Sequence, residues 1–244
     1  MVNVTGHEEK ICGEFPEFCY KAFKCEDYAK QFIDSGFFHL NCRYYCRTME
    51  AEEKDSARRD PTEGVGHTKE LGIVTQGWVS PNPAEKTIWE RIPGYQEHHT
   101  ELGNPVFLFC TSLPPVNLDH MRKNFGRFIV KINNPKKLAE DIYDYFFSIG
   151  QKFIIKGCRV VYNKGQKLDR KLADNERIDL SYKQKPESFI HDCEFRIVAI
   201  KLGEHCKQEC KYLDGEIELK CQYIGAHLNK QLDYTQLIID EISL

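Results

Sequence analysis

Two carboxylates and a guanidinium alternate in the stretch FIHDCEFRIVAI, residues 189–200: Asp192, Glu194 and Arg196. On an extended strand successive side chains point to opposite faces, so these three share one side and Cys193, Phe195 and Ile197 the other. Placing a carboxylate on a sheet costs free energy unless it is solvated, paired or working. A cross-strand ion pair on a wet face is one reading. Val198 and Ile200 follow on the same face, and a face that turns from charged to apolar is also how a cleft lip is built. A second polar constellation, CRYYCRTMEAEEKDSARRDPTEG at 42–64, sets Arg43, Arg47, Arg58 and Arg59 near tyrosines. Arginine forks grip phosphate or pyrophosphate bidentately, although arginines in a polar loop are as readily explained by solvation.

Other chemistries find less in the chain. Cys110 in FLFCTSLPP has His98, His99 and His120 as candidate bases, but no nucleophile signature surrounds it, and a cysteine in a buried strand is inert by default. The spacings Cys42-x3-Cys46 and Cys206-x3-Cys210 contain no C-x2-C pair, so no metal site is expected. The basic cluster HMRKNFGR at 120–127 reads as the exposed side of a helix end. Neither a P-loop nor a G-x-G-x-x-G fingerprint is present. With 34 basic and 37 acidic residues the formal charge is -3, which supplies no general pull toward nucleic acid or an anionic membrane.

The elements that must position these groups follow from periodicity. FCYKAF at 18–23 is a short aromatic strand, and CEDYAKQFIDSG places Tyr28, Ala29, Phe32 and Ile33 on one helical face before Gly36 as a C-cap. FFHLNCRYYC resumes an extended run. From about 51 to 103 the composition turns polar with Gly and Pro punctuation, as in a long loop-rich insertion holding a short helix, a place where lids and binding segments are found. PVFLFCTSL at 105–113 and GRFIVKI at 126–132 are buried strands. Between them and KFIIKGCRVVYN lies a helix opened by Asn134 and Pro135 and followed by Gly150. The C-terminal DGEIELKCQYIG and TQLIIDEISL read as further strands. Strands outnumber helices at hairpin-like spacings, so the expected fold is one α+β domain over 1–244 with mostly antiparallel sheet. No apolar run reaches the roughly 20 residues of a spanning helix. The N-terminus lacks a signal-peptide pattern, and the eleven cysteines, odd in number and mostly in apolar stretches, read as reduced thiols. A soluble cytoplasmic protein that does not engage a membrane is expected.

The order of motifs resembles an uncharacterised microbial family related to the ADP-ribosyltransferase superfamily. The matching segments are CYKAF (19–23), DYAKQFIDSG, YYCRTME (44–50), DPTEG (60–64), VFLFCTS (106–112), FGRFIVKINNPKKL (125–138) and KPESFIHDCEFRI (185–197), which follow one another over about residues 18–200. The resemblance implies split β-sheets with flanking helices and NAD bound in the cleft between them. It places the catalytic Glu at Glu194, a second acid at Asp192, the first-strand position at Tyr20 or Lys21 and the second-strand position at Cys42. Tyr20 and Cys42 depart from the Arg or His and the Ser or Tyr usual there. Lys21, Tyr44, Tyr45, Arg47, Arg59 and Arg196 are the implied cofactor contacts, with Tyr20 or Tyr45 stacking on nicotinamide and Arg47 on pyrophosphate. The implied activity is NAD-dependent transfer of ADP-ribose to a protein or nucleic-acid acceptor, or NAD cleavage, in a toxin or phage-defence setting. A non-catalytic nucleotide- or protein-binding module on the same fold is the alternative.

Overall fold

The structure, a computed structural model, describes residues 10–42, 66–78, 88–100, 105–203, 210–213, 216–219 and 223–238. The fold is mixed α+β, built on a mostly antiparallel sheet that does not close. The strands in chain order are β1 (Ile11–Gly13), β2 (Cys19–Phe23), β3 (Phe37–Cys42), β4 (Gly66–Trp78), β5 (Ile88–Thr100), β6 (Val106–Ser112) and β7 (Phe128–Ile132). They continue with β8 (Phe153–Arg159), β9 (Lys167–Leu168), β10 (Glu194–Lys201), β11 (Cys210–Leu213), β12 (Glu216–Leu219), β13 (Tyr223–His227) and β14 (Thr235–Ile238). Four helices accompany them among the described residues: α1 (Glu26–Ser35), α2 (Leu118–Asn124), α3 (Pro135–Ser148) and α4 (Asp174–Lys183).

The main sheet runs β1-β8-β10-β6-β2-β7-β14, and it forks at β6. One edge of β6 is laddered to β10 along its whole length, from Glu194↔Ser112 to Ile200↔Val106. Its other edge is shared by two strands: β3 pairs at Leu108 and Phe107, and β2 pairs at Ser112 through Tyr20. The intervening stretch, Phe109–Thr111, lies between the two branches. Beyond the fork β13 extends the β3 branch and β7 with β14 extends the β2 branch.

The main core lies on the face covered by α1 and α3. Phe32 on α1 is fully buried, and its ring lies 5.4 Å from Phe23, 5.4 Å from Phe38 and 5.8 Å from Phe109. The local signals read from the sequence are in place at both helices. Gly36 ends α1 at φ +61, a left-handed conformation that glycine adopts at little cost. The Asn134 side chain accepts from the Lys137 N–H at 3.0 Å to cap α3, with Pro135 in its first turn.

The segment expected to be rich in loops contributes two 13-residue strands, β4 and β5, paired in register from Gly66↔Thr100 to Trp78↔Ile88. The alternation is hard to read because two inward-facing residues near the start of β4 are polar: Thr68 and Glu70 are 3% and 1% exposed. Glu70 is satisfied by a bidentate ion pair with Arg177 of α4, at 2.8 and 2.6 Å, and by the Leu172 N–H at 2.8 Å. Helix α4 itself carries few apolar residues, and its burial is confined to Leu180, Ser181 and Tyr182.

Candidate functional site

Strand β10 begins at Glu194, two residues later than the alternation from Asp192 requires. Residues Glu187–Asp192 form a 3-10 helix that ends at Cys193 with φ +46. Asp192 is therefore not a strand residue, and the equal-face relation expected for it holds only for Glu194 and Arg196. The left-handed turn at Cys193 nevertheless folds Asp192 back, so that both acids line one cleft.

That cleft, about 370 Å³, occupies the fork in the sheet. Its walls are Tyr20–Lys24 from β2 and the chain just after it, Asn41 from β3, and Met121 and Phe125 from α2 and its C-terminal end. Its floor is the β6 stretch Cys110–Ser112. The volume is within the usual range for a small-molecule site. Lys21 Nζ crosses the opening to donate to the Cys110 carbonyl at 2.8 Å, which shows that the main chain of Cys110 faces the gap. In a strand the N–H of a residue points to the same side as its C=O, so both groups of Cys110 are presented there.

Charge is unevenly distributed in this space. Lys21, Lys24, Lys185 and Arg196 line it against two carboxylates, Asp192 and Glu194. Glu194 is 6% exposed; its Oε1 accepts from Arg196 Nε at 2.6 Å and its Oε2 from Lys185 Nζ at 2.8 Å. Arg196, 1% exposed, also donates to the Tyr182 carbonyl at 2.7 Å. Burial alone pushes the Glu194 carboxyl up, but the adjacent charges of Arg196 and Lys185 outweigh it and hold the group well below the usual carboxylate range. Asp192 moves the other way. Burial raises its carboxyl above the usual range, opposed only in part by Lys185, 3.9 Å away, and by His120. Two neighbouring carboxyls are thus driven apart, one kept ionised and one made easier to protonate.

The sequence-derived site residues divide into three groups. Glu194, Asp192, Arg196, Tyr20 and Lys21 meet in the cleft. Cys42 does not: it is 5% exposed and belongs to the main hydrophobic core, because the alternation of β3 turns Asn41 to the cleft and Cys42 away from it. Tyr44, Tyr45, Arg47 and Arg59 lie outside the described residues, as do Arg43, Arg58 and the DPTEG segment. His120, read in the sequence as a base for Cys110 and as the start of a basic cluster at a helix end, contacts Asp192 at 3.2 Å. Lys185 was also missed as a site residue, since nothing in KQKPES distinguishes one lysine from its neighbour. Among the described residues no cluster of three metal-ligating side chains occurs, and Cys19, Cys25, Cys110, Cys158 and Cys193 are free thiols. No described helix is long and apolar enough to cross a membrane.

Compared with protein-family models, curated proteins and solved structures, the chain matches none. What the fold and the site define is an α+β protein whose forked, mostly antiparallel sheet holds a cationic cleft with two inequivalent carboxyls.

Proposed function

We propose that this chain is an NAD-dependent enzyme of the ADP-ribosyltransferase kind, which breaks the nicotinamide–ribose bond of NAD and passes ADP-ribose to a macromolecular acceptor or to water. The observation that carries this reading is the convergence of Glu194, Asp192, Tyr20 and Lys21 on the cleft at the fork. Cleavage of an N-glycosidic bond passes through an oxocarbenium-like state, and a carboxylate kept ionised beside it lowers the barrier electrostatically. Glu194 supplies that charge. Lys21 and Lys24 supply cations for the pyrophosphate, and Tyr20 an aromatic ring for the nicotinamide. Asp192, the more readily protonated carboxyl, takes the proton of the attacking group.

The test is nicotinamide release from NAD by wild type and by Glu194→Gln, with melting curves to confirm that both are folded. Release by wild type that falls by about 10²-fold or more in the folded variant supports the reading. Equal background release from both refutes it. A toxin or phage-defence role is the setting this chemistry fits, and growth arrest on expression that disappears with Glu194→Gln is its measurement. One observation favours a non-catalytic binding module instead: both oxygens of Glu194 are already engaged, by Arg196 and Lys185. Calorimetric binding of a non-hydrolysable NAD analogue, without nicotinamide release from NAD, distinguishes that alternative.

A further inference from the structure

Helix α2 reaches the cleft from behind Asp192. His120 Nε2 lies 3.2 Å from Asp192 Oδ1, and the Asn124 side-chain amide nitrogen lies 3.0 Å from His120 Nδ1. The same amide nitrogen lies 3.4 Å from Nε2, so Asn124 packs against both ring nitrogens, and the tautomer sets whether His120 presents a hydrogen or a lone pair to Asp192. The α2 spacing of four residues sets His120 and Asn124 on one face of the helix, and the Asn117 side chain accepts from the N–H of His120 at 3.1 Å to fix that turn. The order of exposure is informative. The Asp192 side chain is 8% exposed and lines the cleft, whereas His120 is 31% exposed and stands between it and solvent.

We propose that Asp192 is the base that deprotonates a neutral hydroxyl nucleophile in the cleft, and that His120, packed beside Asn124, positions Asp192 and carries the proton out to solvent. This rests on the NAD-cleaving reading above and names the acceptor chemistry and the proton path of that site. In the step, the C1′–N bond breaks with its electron pair leaving on nicotinamide, the C1′–O bond forms from the hydroxyl oxygen, and the hydroxyl proton passes to Asp192. In the tautomer with Nε2 unprotonated, Nε2 takes that proton from Asp192 as the Nδ1 hydrogen leaves to solvent, which returns Asp192 to its ionised form. The hydroxyl class follows from the charge of the walls. With Lys21 and Lys24 taken up by the pyrophosphate, Arg196 and Lys185 still occupy the two lining carboxylates, so none is left to pair an arginine or lysine acceptor, whereas water, a serine or a ribose hydroxyl needs no such partner. The groups facing Asp192 are Lys185, Glu194, His120, Tyr162 and Cys193, and those facing His120 are Asp192, Asn124, His191 and Phe125. Lys185 and Glu194 are already paired with each other, which leaves the imidazole as the outward path.

The experiment uses the full chain in three arms. Carbon-13 carboxyl titration follows Asp192 in wild type and His120→Ala without any substrate; removing the imidazole takes away a hydrogen bond to the ionised form, so the Asp192 midpoint moves up. An unmoved midpoint overturns the contact. Nicotinamide release is then measured against pH for wild type, His120→Gln and His120→Ala with added imidazole. His120→Gln keeps a hydrogen-bond donor beside Asp192 but carries no proton, so release falls by about 10²-fold at neutral pH and imidazole restores part of it to His120→Ala. Variants with wild-type rates and pH profiles, beside an inactive Asp192→Asn, overturn the relay and leave the NAD reading standing. Absence of nicotinamide release from wild type removes both. In the third arm methanol and agmatine compete as acceptors: the O-methyl ADP-ribose product is expected, and a guanidinium adduct overturns the hydroxyl assignment.

Discussion

Replacing Glu194 by Gln leaves the Arg196 guanidinium, 1% exposed, and the Lys185 ammonium facing a neutral amide inside the protein. Removing one partner of a buried ion pair costs about 3–5 kcal/mol, because the remaining charge stays desolvated and uncompensated. A chain of this length shifts its melting temperature by roughly 2–4 °C per kcal/mol, so the variant is expected to melt about 6–20 °C below wild type. The partner substitution Arg196→Met also destabilises, since it leaves Glu194 with Lys185 alone and the Tyr182 carbonyl without its guanidinium donor. The double variant removes both members, and its loss falls short of the summed singles by about 0.5–3 kcal/mol. The pH dependence has a defined sign. The folded-state carboxyl is held below its unfolded value, so its contribution is complete above that value, about 4.3, and is lost as pH falls below it. The gap between wild type and Glu194→Gln therefore narrows on acidification. The assay is calorimetry or circular dichroism across pH 3–8 on the four proteins of the cycle. A Glu194→Gln shift under about 2 °C at neutral pH, less than 1 kcal/mol at this size, refutes the buried-pair account.

Three further outcomes are expected. Glu70→Gln breaks the bidentate contact with Arg177 and costs about 3 kcal/mol. Because Arg177 holds the Glu70 carboxyl down at about 2, the wild-type advantage is full above the unfolded value and disappears as pH falls toward 2, with β4 and β5 amides losing hydrogen-exchange protection first. Phe32→Ala empties the centre of the aromatic cluster formed with Phe23, Phe38 and Phe109 and costs about 3–5 kcal/mol, readable as a lowered urea midpoint at unchanged slope. Burial pushes the Cys19 thiol up to about 12 and raises Cys110 as well, so iodoacetamide at pH 8 labels both only after denaturation, as mass spectrometry of the peptides shows.

Elements with local punctuation were legible in the sequence. Asn134-Pro135 before an amphipathic run and Gly36 after one announce their helices without knowledge of the rest, because caps are satisfied within a few residues. The alternation of Glu194, Arg196, Val198 and Ile200 likewise gave the correct common face, since β10 is laddered on both sides and keeps its pleat. Hairpin β4–β5 was hidden because its inward carboxylate is stabilised by an arginine more than a hundred residues away, a contact with no local trace. Helix α4 was hidden for a related reason: its charged face is long and its apolar face short. At the site, Asp192 was found by proximity to Glu194 but assigned the wrong backbone, since the turn at Cys193 has no glycine to signal it. Cys42 was one register position off. His120 and Lys185 arrive from separate elements, and only the fold brings them to the carboxyls.

The fork at β6 has a bearing on how the cleft tolerates change. Its floor offers main-chain atoms of Cys110, and no exchange of side chains deletes a peptide group; proline alone strips the donor. Because β10 ties the opposite edge of β6 along its full length, that floor is held rigid while the branches on either side are free to vary. Drift in the sequence of the walls therefore retunes which molecule is accepted, while the polar rail on which it rests stays where the backbone put it.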